Sequence, residues 1–275
     1  MIISEEAVDL SEIQKKLIQS GWGSEVFDNT VVKKIIYDSE GLKVQGYLAN
    51  PKNNSQKLPL IIWNRGGNRK DGRIDDFLAR GMFGEISSWG YIVLTSNYRE
   101  EDEFGGKDVN DILNLFSLAD EIDFCDSSRI GMEGWSRGGM MTYKVLCRTE
   151  RIKCAVIISG LADLFRSEAN REDLVKVYMK LFGSDDKIEF EKRKKERSAI
   201  YFADKINRST NILLIHGTAD KKIPHLDSVD MFKKLMDNGI NCKLKLIEDG
   251  DHYLRKQRKE VTQLRRDWFE RYLKN

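Results

Sequence analysis

Two rhythms of apolar residues alternate along this chain. Short runs that are almost uniformly apolar read Leu60-Ile61-Ile62-Trp63, Tyr91-Ile92-Val93-Leu94, Cys154-Ala155-Val156-Ile157-Ile158, Asn211-Ile212-Leu213-Leu214-Ile215 and Leu244-Lys245-Leu246-Ile247, with another from Arg129 to Glu133. Between them apolar residues recur at helical spacing: Val109, Ile112, Leu113, Phe116 and Ala119, then Val229, Phe232 and Met236, and finally Val261, Leu264, Trp268 and Tyr272. Strands this apolar must be buried on both faces, and strands separated by helices connect in parallel. The pattern therefore predicts an α/β fold, a mostly parallel central sheet with helices on both faces.

The N-terminal part reads differently. Leu10, Ile13 and Leu17 mark one face of an amphipathic helix, followed by a turn at Gly21-Trp22-Gly23, so residues 1–30 are expected to form a helical extension. Residues 31–50 carry two strand-like runs, Val31 to Tyr37 and Leu42 to Leu48, around the turn signal Asp38-Ser39-Glu40-Gly41, which predicts an antiparallel hairpin at one sheet edge. Residues 161–205 break the later alternation, with charged helical segments and no strand pattern; Lys187 to Arg197 is nearly all charged and reads as a solvated face. An insertion after a strand's C-terminal end lies over the mouth of an open α/β sheet, so this segment is expected to be a small lid. No repeat and no Pro-rich or Gly/Ser-rich linker divides the chain, and 1–275 reads as a single domain.

Composition narrows the function classes. The 46 basic and 44 acidic residues leave a formal charge of +2, a densely charged surface without a strong field. That argues against nucleic acid or a membrane as an obligate partner. The N-terminus lacks a basic region followed by an apolar run, and no stretch approaches the roughly 18 apolar residues needed to span a bilayer. The four cysteines show no CxxC spacing and no paired histidines nearby. Free thiols, no metal, no cofactor and a cytoplasmic location are the expectation.

One turn carries the chemistry. Gly134-Trp135-Ser136-Arg137-Gly138 has the Gly-Xaa-Ser-Xaa-Gly spacing of a nucleophile elbow, where the strained turn leaves no room for side chains two positions either side of the serine. A serine hydroxyl is a weak nucleophile and needs an adjacent base, a role that suits histidine. Of the three histidines, His252 follows the last strand-like run, which brings it to the same sheet edge as Ser136. His216 reads as the packed end of a strand, and His225 as a loop residue near the site. Asp220, in the short loop after the Asn211 to Ile215 run, is the candidate that orients the imidazole; Asp249 and Asp251 are alternatives. The chain order Ser136, Asp220, His252 is that of α/β-hydrolases. Oxyanion donors are expected from the Arg137 N–H and from the loop Arg65-Gly66-Gly67 after the Leu60 run.

These motifs resemble the catalytic domain of the prolyl oligopeptidase family of serine hydrolases, within the α/β-hydrolase superfamily, with dienelactone-hydrolase-like enzymes as neighbours. The resemblance runs from about residue 30 to the C-terminus. It rests on Leu58 to Ile62 leading into Arg65-Gly66-Gly67, on Asn97-Tyr98-Arg99, on Gly134 to Gly139, on His216 to Asp220 and on Asp249 to His252. It implies a triad of Ser136, Asp220 and His252. Relatives often carry histidine where Arg65 stands, which leaves the second oxyanion donor open between Gly66 N–H, Gly67 N–H and the Arg65 side chain. Arg65, Trp135 and Tyr98 are candidate substrate contacts. The oligopeptidases' β-propeller has no counterpart in this sequence, and Glu100-Glu101-Asp102-Glu103 reads as a solvated loop, not an anchor for a peptide N-terminus. The resulting expectation is a serine hydrolase that cleaves small acyl esters or short peptides and amides through an acyl-enzyme. A peptidase of the prolyl oligopeptidase type and a non-catalytic binding protein of the same fold are the alternatives. Edge strands or the N-terminal helix leave homo-oligomerisation open.

Overall fold

The computed structural model describes residues 1–53 and 55–274. Nine strands form one sheet: β1 Ile2–Ala7, β2 Thr30–Ser39, β3 Leu42–Pro51, β4 Leu58–Asn64, β5 Ile92–Ser96, β6 Cys125–Trp135, β7 Ile152–Ile158, β8 Asn211–Gly217 and β9 Cys242–Ile247. Their spatial order is β1-β2-β3-β5-β4-β6-β7-β8-β9. The first three pairings are antiparallel, and every pairing from β5 across to β9 is parallel. The expected mostly parallel sheet with an antiparallel hairpin at one edge is present.

The uniform apolarity of the central strands has a direct cause. Alternate residues of each strand enter different cores. Leu60 and Ile62 of β4 join Ile92, Leu94, Ala155, Ile157, Ile212 and Leu214 on one face. Ile61 and Trp63 join Val93, Val156, Ile158, Leu213 and Ile215 on the other. With helices on both sides, a polar residue at either parity would be desolvated.

Four short or peripheral helices precede the main ones: α1 Glu12–Trp22, α2 Glu25–Asp28, α3 Asp76–Leu78 and α4 Gly84–Ser88. The first face is then covered by α5 (Asp108–Glu121) and α6 (Arg137–Leu146). Helices α7 (Leu164–Asn170), α8 (Asp173–Phe182) and α9 (Lys187–Lys195) lie between β7 and β8, with two 3-10 turns and no strand. Tyr178 and Phe182 of α8 stack against Phe104, in the loop after β5, at ring distances of 5.5 and 6.4 Å. Helix α10 (Leu226–Asp237) completes the first face, and α11 (Arg258–Phe269) covers the second through Val261, Trp268 and Phe269.

Three local expectations are corrected. Residues 2–7 are a strand, not part of a helix: β1 lies on the free edge of β2, with Glu5 and Glu6 paired to Lys33 and Lys34. Most of its residues face solvent, so it carries no apolar rhythm to read. The following helix does not bury the predicted face, since Ile13 is 72% and Leu17 56% exposed while Ile18 is buried with Leu10 and Val26. In α10, Met231 and Leu235 face the core and Met236 is exposed, because the polar Asp227 and Ser228 occupy the buried face one turn earlier.

Candidate active site

Strands β4, β6, β8 and β9 are parallel and in register, so the loops after Asn64, Trp135, Gly217 and Ile247 emerge at one sheet edge. Ser136 sits between β6 and α6 at φ 59° and ψ −123°, a conformation that L residues avoid. The turn is held at several points. Ser136 N–H donates to Ile158 O at 3.0 Å, and Ser136 O accepts from Gly139 N at 2.9 Å and Leu161 N at 3.1 Å. Such strain is worth about 1–3 kcal/mol and persists only where surroundings over-determine it. The flanking glycines are sterically required: a Cβ on Gly138 would run into the carbonyl of Asn64, and one on Gly134 into that of Gly138.

Asp220 follows β8 in a turn where Oδ1 accepts from Lys222 N (2.8 Å) and Ile223 N (3.0 Å). Its Oδ2 lies 2.7 Å from His252 Nδ1 and 3.2 Å from His216 Nε2. Burial opposes ionisation here, but hydrogen bonds from His216 and His252 outweigh it and hold the carboxyl well below the usual carboxylate range. A carboxylate only accepts, so His252 Nδ1 carries its proton and Nε2 is left as the basic nitrogen. The alternatives Asp249 and Asp251 are both exposed, and Asp251 Oδ1 accepts from Tyr253 N, whereas His252 Nδ1 is partnered by Asp220.

The histidine loop is tied to its neighbours. Ala219 N–H donates to Gly250 O at 3.0 Å, and Trp135 Nε1 donates to His252 O at 3.1 Å. The residue preceding Ser136 thus holds the backbone of His252. His216 is fully buried at the end of β8, with Nδ1 2.7 Å from Ser228 Oγ and Nε2 3.0 Å from Ile223 O. That carbonyl can only accept, which assigns the proton to Nε2 and makes Ser228 the donor to Nδ1. His225 stands at the start of α10.

The loop after β4 reaches the nucleophile. A Cβ built on Gly66 would lie 3.2 Å from Ser136 Cβ and 3.8 Å from Oγ, so the Gly66 backbone abuts the serine. The carbonyl of Arg65 accepts from Tyr98 Oη at 3.1 Å. In a planar trans peptide the N–H of Gly66 must point the opposite way. Gly67, at φ 69°, packs against the Asp71 carbonyl, and its own carbonyl accepts from Arg137 Nη1 at 2.9 Å. Arg137 opens α6, and its N–H is among the first-turn donors that no helical carbonyl can satisfy.

The prolyl oligopeptidase family model matches residues 86–275, a span that contains Ser136, Asp220 and His252. The chain belongs to the prolyl oligopeptidase family. It is 27% identical over 210 residues to the "uncharacterized peptidase YtmA" of Bacillus subtilis, covering 73% of this chain and 78% of that protein. Similarity to the "uncharacterized peptidase YuxL" of the same organism is 25% over 268 residues, 89% of this chain and 39% of the relative. Dipeptidyl peptidase 4 of Felis catus is 29% identical over 154 residues, 52% of this chain and 19% of that protein. The chain therefore spans most of YtmA but well under half of the other two. Among solved structures, Pyrococcus horikoshii acylaminoacyl peptidase superposes with a TM-score of 0.78 at 22% identity, over 90% of this chain and 42% of that one. A Mycobacterium tuberculosis puromycin-hydrolyzing peptidase gives 0.77 at 22%, over 89% and 39%. The fold is that of α/β-hydrolase catalytic domains, and the prolyl oligopeptidase family to which the chain belongs is a family of serine peptidases.

In this family member three sequence expectations change. Arg65 is buried, and its guanidinium donates to the carbonyls of Asn97, Gly66, Asp71 and Arg69. Tyr98 is likewise buried, its ring between the guanidinium groups of Arg65 and Arg137 at 4.7 and 5.2 Å. Trp135, half-buried, remains beside the serine. The Glu100 to Glu103 segment is not uniformly solvated, because Asp102 is 3% exposed and its carboxylate accepts from both Arg137 Nη atoms and from the N–H groups of Arg69 and Phe104. Asp108, also buried, accepts from Gly105 N–H. Among the described residues no group of three or more His, Cys, Asp or Glu is arranged to hold a metal ion, and no helix is long and apolar enough to cross a membrane.

Proposed function

We propose that this chain hydrolyses small acyl esters and short peptide or amide bonds through an acyl-enzyme on Ser136. Ser136 Oγ bonds to the substrate carbonyl carbon as its proton passes to His252 Nε2. The C–O or C–N bond then breaks, and the imidazolium returns the proton to the leaving group. Water repeats the sequence on the acyl-enzyme and restores the serine. Asp220 holds the His252 tautomer, and the N–H groups of Arg137 and Gly66 receive the oxyanion. The observation that carries this reading is the 2.7 Å contact of Asp220 Oδ2 with His252 Nδ1, in a loop tied to Trp135 beside the strained serine.

Peptide and amide substrates are favoured by the relatives, which are named peptidases. Residues 161–205 act as the lid of a single catalytic unit and limit acyl-group size; their support is the packing of α8 on Phe104 near the oxyanion loop's anchor, Asp102. The test is intact-mass analysis after treatment with a fluorophosphonate. A single adduct on the wild type and none on Ser136→Ala supports the hydrolase. No adduct on folded wild type favours a binding protein on the same scaffold.

A further inference from the structure

The two halves of the oxyanion pocket come from different strands, Gly66 from the end of β4 and Arg137 from the end of β6. One buried cation joins them. The Arg137 side chain, 2% exposed, turns back over the loop after β4, and its Nη1 donates to Gly67 O at 2.9 Å and to Asp102 Oδ2 at 2.6 Å. Its Nη2 donates to Asp102 Oδ1 at 2.7 Å and also to Asp108 Oδ2. Asp102 extends the tie, accepting from Arg69 N at 2.9 Å and lying 3.8 Å from Arg65 Nη2. The rings of Tyr98 and Phe104 pack on the Arg137 guanidinium at 5.2 and 4.6 Å. The residue that supplies one oxyanion N–H is therefore fixed, by its own side chain, to the loop that supplies the other.

Stability alone is a poor reason for this arrangement. Desolvating two arginines and two aspartates offsets much of their mutual attraction, and apolar residues of similar volume would serve as well. What a bidentate guanidinium–carboxylate fork adds is angular definition. Burial works against the charge on Arg137, and Asp108 and Asp102 outweigh it and keep the group ionised.

We propose that the Arg137 side chain, locked by Asp102, is a positioning residue that sets the spacing between the Arg137 and Gly66 N–H groups. The inference rests on the hydrolase reading above. Negative charge appears on the substrate oxygen only as the tetrahedral intermediate forms, so looser donors affect the transition state and leave ground-state binding almost alone.

The test compares wild type, Arg137→Lys and Asp102→Asn, each shown to be folded by circular dichroism, in p-nitrophenyl acetate hydrolysis. Amide hydrogen exchange of residues 64–73 is measured in parallel. The expected result is a fall in kcat of about 10- to 100-fold with KM within about twofold, together with faster exchange in the loop. Folded variants with unchanged kcat, or with a raised KM at unchanged kcat, overturn the positioning role while leaving the hydrolase intact. If Arg137→Lys does not fold, the near-isosteric Asp102→Asn decides by the same readouts. A folded wild type that neither turns over the ester nor takes a fluorophosphonate overturns the hydrolase reading, and this inference with it.

Discussion

His216 and His252 meet at a single atom, Asp220 Oδ2, at 3.2 and 2.7 Å. One imidazole comes from the end of β8 and the other from the loop after β9. The carboxylate between them is oriented from three sides, since Lys222 and Ile223 hold its second oxygen through backbone N–H groups.

Asp220→Asn keeps the volume but exchanges an acceptor for a donor at one position, which releases the His252 tautomer. The expected outcome is a loss of about 10⁴-fold in kcat on an activated ester, by analogy with the same change in a serine protease triad. Stopped-assay kinetics on the folded variant check it, and a loss below tenfold would remove Asp220 from the proposed triad.

Ser228→Ala deprives the buried Nδ1 of His216 of its donor. Leaving such an atom unpaired costs about 1–3 kcal/mol, so the urea midpoint should fall at constant slope. Because His216 still reaches Asp220 through Nε2, kcat should fall far less than in Asp220→Asn. Equal losses in the two variants would mean that His216 itself is needed for turnover.

Asp227 supplies the clearest pH signature. It is buried at the start of α10, where it accepts from Ala162 N and Asp163 N. Burial pushes its carboxyl up to about 6, against the partly compensating N–H groups. The native state then holds this proton more tightly than the unfolded chain, so its stabilising contribution is complete below about pH 4 and is lost as pH rises through 6. Between pH 4 and 7 the wild type should lose about 2–3 kcal/mol from this group that Asp227→Asn does not lose. Denaturant titrations of both proteins at the two pH values measure the difference; parallel pH profiles would refute it. Asp220 and Asp102 act with the opposite sign, their contribution being lost as pH falls below the ordinary carboxylate range.

Much of the scaffold was legible because its signals are local. Leu60 to Trp63 had to be buried on both faces, whatever lay against them, and each parity indeed enters its own core. The edge strand β1 was not legible, since only its hydrogen bonds to β2 make it a strand. In α10 the inward positions of Asp227 and Ser228 displaced the expected face by one residue.

The sequence by itself determined the elbow, because the glycines around Ser136 answer to backbone clashes within and beside one turn. It also determined the strand order's main consequence, that loops bearing Ser136, Asp220 and His252 leave parallel strands at a common edge. Only the tertiary structure decided the fate of the charges. Arg65, Asp102, Asp108 and Arg137 look like ordinary surface residues along the chain, and they are buried because each meets its partner from a different loop. A charge can leave water only where opposite charge and hydrogen-bond acceptors are already in place, and that placement is a property of the assembled fold.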